Sequence, residues 1–324
     1  MRFSENRETY SKIATLYYLA DKSQGDIANI FNVSRFKISR VLKKCRALKI
    51  VEFKVNSIPE YFHKLESEIA KALNISEVTI VSSGSTSQES KDRVAKRAAK
   101  YLEDHIKDNM NIGLSWGSTI QRIIKYYQKS ECFPKTVFVQ LSGSLCSKSL
   151  IEDGYIDGSH FVQSLASKAQ SNWSVFPVPY IVQNPALKEM LYEEPHIKQH
   201  VELFKELDIA LISLGPDNPS KSVSYLSGYL TYEEAKKLAD EGMSADICGT
   251  RLAMNGEIRE TIMTNRVLTI DLMNLHQLHE VCAIGAGEEK AGSFIAGCRG
   301  GFIKKAIMDE ICALTMLYRI QNGD

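Results

Sequence analysis

Three glycine-bearing turns carry the side chains of this sequence that could bind a small polar ligand. The first, Gly113 to Thr119 (GLSWGST), stands between a predicted strand and a predicted helix. Gly117 would let a ligand approach the backbone closely, and the amides that open the helix would favour an anion. The hydroxyls of Ser115, Ser118 and Thr119 add donors that suit a phosphate or the hydroxyls of a sugar. The same residues would also suit an ordinary tight turn in which Ser118 only caps the helix.

The other two turns, and one carboxylate, add to this chemistry. Leu214 and Gly215 end the predicted strand Ile209–Leu214, and open α/β sheets bind ligands at the carboxyl ends of their strands. Lys290, in the turn IGAGEEKA, is either a cation that faces a crevice or a solvated helix lysine. Asp246, among small and apolar neighbours, would accept hydrogen bonds from a polyol or cap a local turn. Residue chemistry alone leaves both pairs of alternatives open.

The sequence contains no set of side chains that indicates catalysis or a metal centre. None of the three turns matches the dinucleotide-binding or P-loop glycine motifs, and no G-x-S-x-G elbow is present. His196 and His200 have a metal-compatible i,i+4 spacing without an evident third ligand, which favours a polar helix face. Beyond Asp246 we find no convincing pair of general acid and base. We therefore predict no catalytic residue, no metal and no cofactor.

A different chemistry is indicated near the N-terminus, where QGDIANIFNVSRFKISR covers residues 24–40. The spacing is typical of a helix-turn-helix, because Asn32 lies where the chain must reverse and Ser34 can cap the next helix. That helix would bury one face and turn basic side chains towards the major groove of DNA. An ordinary helical hairpin with a solvated basic face is the alternative. The predicted DNA-binding residues are Gln24, Ser34, Arg35, Phe36, Lys37, Ser39, Arg40, Lys43 and Lys44.

The partition of charge along the chain favours the DNA-binding interpretation. Residues 1–55 carry 12 Lys and Arg against 5 Asp and Glu, whereas the whole chain of 324 residues has a net charge of only +1. A charge that served solubility alone would be more evenly mixed, so a segregated basic segment fits contact with a phosphate backbone. We expect double-stranded DNA as a partner.

Composition and cysteine usage limit the compartment. The chain has 44% hydrophobic and 24% charged residues, as in an ordinary globular protein, and no apolar run of about 18 residues. The segment MRFSENRETYSK lacks the apolar region of a secretory signal. Seven cysteines without C-x-x-C spacing favour free thiols in a reducing environment. We therefore expect a cytoplasmic protein that does not contact a membrane.

Apolar periodicity divides the chain into a small helical region and a larger α/β region. Three helices and a short strand over Ile50–Val55, which would form a wing, make up a predicted domain over residues 1–56. Segment 57–75 contains an amphipathic helix over Tyr61–Leu73. This helix would either connect the domains by packing on the larger one or support self-association. The remainder, 76–324, alternates short apolar runs with helical patterns, which predicts an α/β domain with a parallel sheet.

Seven runs in the larger region have the length and composition of buried strands. Helical patterns fall between them, for example in Ser87–Ile106, Ser118–Tyr127 and Thr231–Glu241. The predicted strands are Val78–Ser82, Met110–Ser115, Thr136–Leu141, Ser174–Val178, Ile209–Leu214, Val281–Ala286 and Phe302–Ile307.

Four motifs in this order resemble the SorC family of bacterial sugar-responsive transcription regulators. The resemblance covers nearly the whole chain and is most specific in LYYLADKSQGDIANIFNVSRFKISRVLK (16–43), IGLSWGSTI (112–120), ADICGTRLAMNGEI (245–258) and IGAGEEKAGSFIAGCRGGFIKKAIMDE (284–310). It implies an N-terminal helix-turn-helix and an effector domain that is itself similar to sugar-phosphate isomerases and deaminases of the NagB/RpiA/CoA-transferase-like class. It also implies a cytoplasmic homodimer or homotetramer whose DNA binding responds to a sugar, polyol or sugar phosphate.

The resemblance also implies which residues form the effector pocket. The SWG sequence and the EEK turn are most similar to sorbose- and sorbitol-type regulators. A ligand-controlled regulator is therefore the favoured function. The alternative is a sugar-phosphate isomerase or deaminase with an added N-terminal DNA-binding module. The implied pocket residues are Ser115, Trp116, Gly117, Ser118, Thr119, Leu214, Gly215, Asp246 and Lys290.

Overall fold

A computed structural model describes residues 3–53, 59–145, 158–216, 218–243 and 245–323 of the chain. The chain divides into two units, each with its own core. The first unit consists of Met1–Ser57 and Gly84–Glu89, and the second of Ile58–Ser83 and Ser90–Asp324. Within the described ranges, no helix is both long enough and apolar enough to cross a membrane.

The first unit is a small helical bundle. Its three helices each contribute apolar side chains to one buried cluster, in which Ile13, Ile27 and Ile38 are fully buried. This arrangement follows from the 3.6-residue periodicity of the apolar positions. The helices are α1 (Arg7–Tyr18), α2 (Gln24–Phe31) and α3 (Arg35–Ala47).

The turn between α2 and α3 has the geometry that the sequence predicts. Asn32 ends α2 in the left-handed conformation, with φ 52° and ψ 51°, which a short polar side chain tolerates better than most. Ser34 then caps α3, because its hydroxyl accepts the main-chain N–H of Lys37 at 3.2 Å. These two residues together produce the helix-turn-helix geometry.

The wing strand predicted over Ile50–Val55 does not form in residues 50–53, and its last two residues lie outside the described part of the chain. The main-chain N–H groups of Ile50 and Val51 instead donate to the carbonyl of Cys45, at 2.9 and 3.3 Å. Both side chains pack against the helical core. The alternation of apolar and polar residues here therefore marks the C-terminal end of α3, where the main chain hydrogen-bonds to the helix. A strand would instead need a neighbouring strand to satisfy its main-chain hydrogen bonds.

The second unit is built on a seven-stranded parallel sheet, as predicted. The strand order is β1-β9-β8-β5-β2-β3-β4, and a separate antiparallel hairpin joins β6 to β7. All the pairings in the large sheet are parallel. The strands are β1 (Glu77–Val81), β2 (Asn111–Leu114), β3 (Val137–Gln140), β4 (Asn172–Ser174), β5 (Ile209–Ser213), β6 (Ala245–Ile247), β7 (Thr250–Leu252), β8 (Val281–Gly285) and β9 (Lys305–Asp309).

Helices cover both faces of this sheet, so alternate strand residues enter different cores. In β5, for example, Leu211 enters one apolar cluster and Ile212 the other. The described helices of this unit are α4 (Pro59–Leu73), α5 (Ser87–His105), α6 (Ile123–Tyr126), α7 (Gly158–Ala169), α8 (Pro185–Glu193), α9 (Pro195–Leu203), α10 (Val223–Leu226), α11 (Tyr232–Asp240), α12 (Leu272–Gln277), α13 (Ala291–Arg299) and α14 (Glu310–Gln321).

Helix α4 falls in the segment predicted as a linker or oligomerisation helix. Leu65, Ile69 and Leu73 lie on one face of it and are buried in the core of the sheet. The helix therefore packs on the larger unit, and its part in self-association stays a prediction.

The direction in which the chain adds strands to the sheet reverses between β2 and β5. From β2 the chain adds β3 and β4 on one side, and it then returns to place β5 on the other side of β2. Ligands bind at such a reversal in open α/β sheets, because the loops that leave the two strands separate there. The loops that follow β2 and β5 are the ones that begin at Ser115 and Leu214.

Two predicted strands are displaced and one hairpin was missed. The strand predicted over Ser174–Val178 lies at Asn172–Ser174, because the N–H of Phe176 donates to the Gln140 side chain at 3.1 Å rather than to a neighbouring strand. The strand predicted over Phe302–Ile307 lies at Lys305–Asp309. The hairpin of β6 and β7 has strands of only three residues, too short to produce a readable alternation.

Candidate effector site and DNA-binding surface

Residues from the first glycine turn join β2 to β5 at the reversal of the sheet. The hydroxyl of Ser115 accepts the main-chain N–H of Ser213 at 2.7 Å, and the N–H of Ser115 donates to the carbonyl of Leu211 at 3.1 Å. A Cβ on Gly117 would lie 2.6 Å from the Cβ of Ser213, so only glycine fits there. The two loops are therefore held close together, and Ser115 is already engaged in holding them.

The second turn brings the other predicted residues into direct contact. The ammonium of Lys290 donates to the carbonyl of Leu214 at 2.7 Å, and the N–H of Gly215 donates to the carbonyl of Asp246 at 2.8 Å. A Cβ on Gly215 would lie 2.5 Å from the Cβ of Asp246. The hydroxyl of Ser293 donates to the carbonyl of Gly215 at 2.8 Å. Residues far apart in sequence thus meet at the carboxyl end of β5.

The carboxylate of Asp246 is buried and has two neighbours. One oxygen, Oδ1, accepts the N–H of Gly249 at 2.9 Å, and the other, Oδ2, lies 3.7 Å from a guanidinium nitrogen of Arg251. Asp246 therefore caps the hairpin turn, one of the two roles that the sequence left open. A carboxylate has about four acceptor positions, so it keeps acceptor capacity for the hydroxyls of a ligand.

Lys290 is a half-buried cation beside this carboxylate. Burial lowers the pKa of Lys290 to about 8, because desolvation disfavours its charged form, while Glu289 acts in the opposite direction. Its ammonium points to the end of β5 rather than into open solvent, as its bond to Leu214 indicates. It is therefore not a solvated helix lysine.

Other cations lie near Lys290. Burial lowers the pKa of Lys91, Glu289 opposes that shift, and the positive charges of Arg122 and Lys221 reinforce it. Two acids compensate in part, since Lys221 lies 3.5 Å from Glu289 and Arg122 lies 3.0 Å from Asp92. These four cations are called the cation cluster below: Lys91, Arg122, Lys221 and Lys290.

The remaining residues of the first turn, Trp116, Ser118 and Thr119, make contacts of three different kinds. Trp116 makes an edge contact with Tyr180, with ring centroids 4.8 Å apart. The carbonyl of Ser118 accepts the side-chain N–H of Arg122 at 3.1 Å, and Thr119 is buried without a capping hydrogen bond from its side chain. The helix predicted over Ser118–Tyr127 is a 3₁₀ turn followed by the four residues of α6. A helix this short contributes little dipole, so the cations are the main attraction for an anion here.

Sequence reasoning missed several residues of this site. Ser213 and Ser293 gave no signal, because a lone serine in an apolar run has no spacing to read. Arg251 stands five positions after Asp246, and antiparallel pairing makes the two direct neighbours across the hairpin. Lys91 and Lys221 belong to segments far from Lys290 in sequence, and only the fold brings their charges together.

The predicted DNA-binding residues lie along α3 and at the start of α2. Arg35, Phe36, Arg40 and Lys43 are exposed, with Phe36 at 72%, and Gln24 and Ser39 are half-exposed. Within the described residues, Arg35, Arg40 and Lys43 have neither a hydrogen bond from the side chain nor an ion pair. An exposed phenylalanine beside free cations at a helix N-terminus suits contact with base edges, where a thymine methyl offers an apolar surface.

Two of the predicted lysines are already engaged. Lys37 and Lys44 each lie 3.4 Å from a carboxylate oxygen of Glu5, and Lys44 donates to the hydroxyl of Tyr10 at 3.4 Å. The hydrogen bond that Lys44 donates to Tyr10 and the charge of Glu5 raise the pKa of Lys44. These lysines are therefore partly neutralised, unlike Arg40 and Lys43.

His200, which has metal-compatible spacing to His196, is a core residue. Its ring stacks on Phe176, Nδ1 lies 2.7 Å from the hydroxyl of Ser174, and Nε2 lies 2.8 Å from the carbonyl of Gln140. Burial lowers the pKa of His200. The described parts of the chain contain no group of three or more His, Cys, Asp or Glu that could hold a metal ion.

Comparison with known proteins places this geometry in a family. The family model described as "Putative sugar-binding domain" matches residues 59–318. The deoxyribonucleoside regulator of Bacillus subtilis (strain 168) is 25% identical over 97% of this chain and 98% of its own. The sorbitol operon regulator of Klebsiella pneumoniae is 24% identical over 98% of this chain and 100% of its own.

The likeness extends to solved structures. The crystal structure of the full-length sorbitol operon regulator SorC from Klebsiella pneumoniae has a TM-score of 0.73 at 24% identity, and the match covers 97% of this chain and 100% of that one. The relatives are transcriptional regulators, which confirms the expectation of a regulator rather than an enzyme. The chain therefore belongs to the sugar-binding family of SorC- and DeoR-type transcriptional regulators.

Proposed function

We propose that this regulator controls a carbohydrate-utilisation operon from the cytoplasm, and that its effector is a phosphorylated sugar or polyol bound at the reversal of the sheet. The observation that carries the proposal is Lys290, a cation in contact with the carboxyl end of β5 and beside the carboxylate of Asp246. A cation and a carboxylate together recognise a molecule with an anionic group and hydroxyls. The Klebsiella relative is named for sorbitol and the Bacillus relative for deoxyribonucleosides, so polyols and pentoses are the first compounds to test.

The cation cluster supports an anionic effector over a neutral one. The four cations lie near three acids, Asp92, Glu289 and Asp246, yet the charge of Lys91 still acts to lower the pKa of Lys290. Positive charges in the cluster therefore repel one another in the free protein. A phosphate would relieve that repulsion, and its interaction would be strong because the lysines are partly desolvated.

The hydroxyl groups of the effector would face the acceptors. Asp246 has acceptor capacity left, and Ser118 and Trp116 stand on the loop that follows β2. A sugar phosphate would thus bridge the loops after β2 and β5. Binding changes the DNA affinity only if the effector prefers one arrangement of the protein over another.

The first unit would read an operator through α3. Arg35 and Arg40 are exposed and free of protein partners in the described residues, which leaves them available for guanine and phosphate. The neighbouring Phe36 would contact a thymine methyl. A symmetric operator needs two such helices, so we also propose that the regulator acts as a homodimer or homotetramer.

The test compares matched pairs of ligands that differ only in the phosphate. Sorbitol with sorbitol 6-phosphate, and deoxyribose with deoxyribose 5-phosphate, are added to the full chain, and the melting temperature and the affinity for its own promoter are measured. We expect only phosphorylated members to raise the Tm and to change operator affinity. The same ligands should have no effect on Lys290→Met.

Two controls make this test specific. Lys198→Met changes an exposed lysine that pairs with Glu193 on the neighbouring helix, and it should respond like the wild type. Free inorganic phosphate should stabilise weakly, since it lacks the hydroxyls that Asp246 would bind. Equal effects from sorbitol and its phosphate, or an unaltered response in Lys290→Met, would contradict the proposed anion contact.

A further inference from the structure

A cavity of about 390 Å³ lies in the larger unit, apart from the predicted effector residues. It is bordered by the end of the β6–β7 hairpin, by helices α8 and α9, and by the chain between Ile258 and Asn274. None of the nine predicted effector residues lines it. Its lining includes the apolar side chains of Val201, Phe204 and Leu272. A volume in this range is typical of sites for small molecules.

Arg251 is the buried cation of this cavity. Its side chain is only 7% exposed, and its one ion contact with the described residues is the 3.7 Å approach to Asp246. Among the described residues, the guanidinium makes no hydrogen bond, although it carries five N–H donors. The donors without a partner among those residues line the cavity, where an anion can accept them. Asp246 approaches the guanidinium only to 3.7 Å and with one oxygen, because its other oxygen accepts the N–H of Gly249.

A second cation and several polar groups line the same cavity. Lys188 lies on α8, donates to the carbonyl of Thr264 at 3.1 Å, and is half-buried. Burial lowers its pKa, against the opposing charge of Asp271. Thr250 and Asn265 also line the cavity, and their side chains have no hydrogen bond to any residue in the described ranges.

We infer that this cavity is a second ligand site, which binds a small hydroxylated anion through Arg251 and Lys188. The planar guanidinium matches the two oxygens of a carboxylate or a phosphate, and Lys188 adds a second positive charge. Thr250 and Asn265 supply partners for hydroxyl groups, and the apolar lining residues accommodate a carbon chain. The ligand class is therefore a sugar acid of about 10 to 16 non-hydrogen atoms, within the size range of such a cavity.

The site also contacts the effector site through one shared side chain. Arg251 lies between the cavity and Asp246, so an anion that draws the guanidinium into the cavity weakens its contact with that carboxylate. Occupation of the cavity would then change the affinity of the effector site, and the reverse must hold to the same extent. This coupling rests on the proposed function, whereas binding in the cavity does not.

The experiment measures binding of gluconate, which carries no phosphate, to the full chain by ligand-observed NMR and calorimetry. The key variant is Asn265→Trp, which adds bulk to the lining of the cavity from an exposed position and leaves Arg251 in place. Lys188→Met removes the second charge, and Lys198→Met is its matched control on the neighbouring helix. We expect at least a tenfold loss of affinity in Asn265→Trp and Lys188→Met, and no change in Lys198→Met or Lys290→Met.

The Lys290→Met variant separates this inference from the proposed function. If sugar phosphates fail to act on the operator while gluconate binding still depends on Asn265 and Lys188, the proposed effector is wrong and the cavity site stands. The inference would be overturned if gluconate bound to one class of site only, and if that binding were lost in Lys290→Met and unchanged in Asn265→Trp. The absence of gluconate binding at millimolar concentration would also overturn it. Arg251→Gln is a weaker test, because it leaves Asp246 buried without its partner.

Discussion

The two units of this regulator hold their cations in opposite ways. In the first unit, Arg35, Arg40 and Lys43 are exposed and have no protein partner within the described residues. In the second unit, Lys290 and Arg251 are withdrawn from solvent, and each contacts an oxygen of its own chain. Exposed charges act together through an electrostatic field that salt screens, and such a field suits binding to a long polyanion. Withdrawn charges act singly and depend on geometry, which suits the orientation of one small molecule.

Among the substitutions that test this contrast, Gly215→Ala should have the largest effect. The added Cβ would lie 2.5 Å from the Cβ and 2.8 Å from the Cγ of Asp246, so the hairpin must move. A displacement of about 1 Å in a positioned group can cost about 100-fold, and we expect a loss of that size in effector affinity. Titration of the promoter complex with effector, followed by fluorescence anisotropy, measures it.

The matched control for this change is Gly25→Ala in α2. There the nearest atom to the new Cβ lies at an ordinary 3.5 Å, and alanine favours a helix. This variant should keep the full effector response. Promoter affinity without effector should stay within about twofold of wild type in Gly215→Ala, since its site lies outside the first unit. A normal effector response in Gly215→Ala would show that Asp246 does not contact the ligand.

Arg40→Ala should have the next largest effect, in the other unit. A bidentate contact between arginine and guanine is worth about 1–3 kcal/mol of discrimination, or about 5- to 150-fold. We expect promoter affinity to fall by that factor while affinity for random duplex changes much less. Competition binding with the two duplexes measures the ratio. An unchanged preference for the promoter would mean that another face of α3 meets the bases.

The pH dependence of effector binding should show that Lys290 is withdrawn from solvent. Its pKa of about 8 means that the ammonium is charged below that pH and loses its proton above it. Affinity for a sugar phosphate should therefore be constant near pH 7 and fall towards tenfold per pH unit above 8. Lys290→Arg should remove the fall, because a guanidinium stays charged. Calorimetry from pH 7 to 9.5 tests both, and an identical profile in the two proteins would exclude Lys290 as the titrating group.

The smallest effect compares two neighbouring lysines on α3. Lys43 is free within the described residues, whereas Lys44 lies 3.4 Å from Glu5. Loss of one phosphate contact lowers the salt dependence of binding by about one unit, and we expect that for Lys43→Ala on every duplex. Lys44→Ala should change it less, because Glu5 already neutralises part of that charge. Promoter affinity measured across salt concentrations gives both slopes, and equal slopes would contradict the role assigned to Glu5.

The sequence predicts local structure here better than it predicts encounters between distant segments. Asn32 and Ser34 could be read from spacing alone, because a turn and a cap depend on a few consecutive residues. The strand ends at Ser115 and Leu214 could also be placed, since buried strands leave continuous apolar runs. Arg251 could not, because its contact with Asp246 depends on a hairpin too short to recognise.

The electrostatics of the effector site were even less accessible from sequence. Lys91 and Lys221 are separated by 130 positions in the sequence. Their charges interact only because the fold brings their two segments close together. The sequence suggested a helix dipole as the attraction for an anion at the first turn. The short α6 weakens that argument, and the cluster of side-chain cations replaces it.

The pairing of β1 with β9 has a consequence for how the chain is made. Val78 lies beside Ala306, so the edge strand of the sheet must wait until almost the whole polypeptide has left the ribosome. The apolar core of the helical unit is made by residues between Phe3 and Val51 and can form early. A ribosome-bound chain would therefore carry a finished DNA-binding unit before its sensor exists. Exposed apolar strands in that interval are a target for chaperones, and truncated products would bind promoters without any control by sugar.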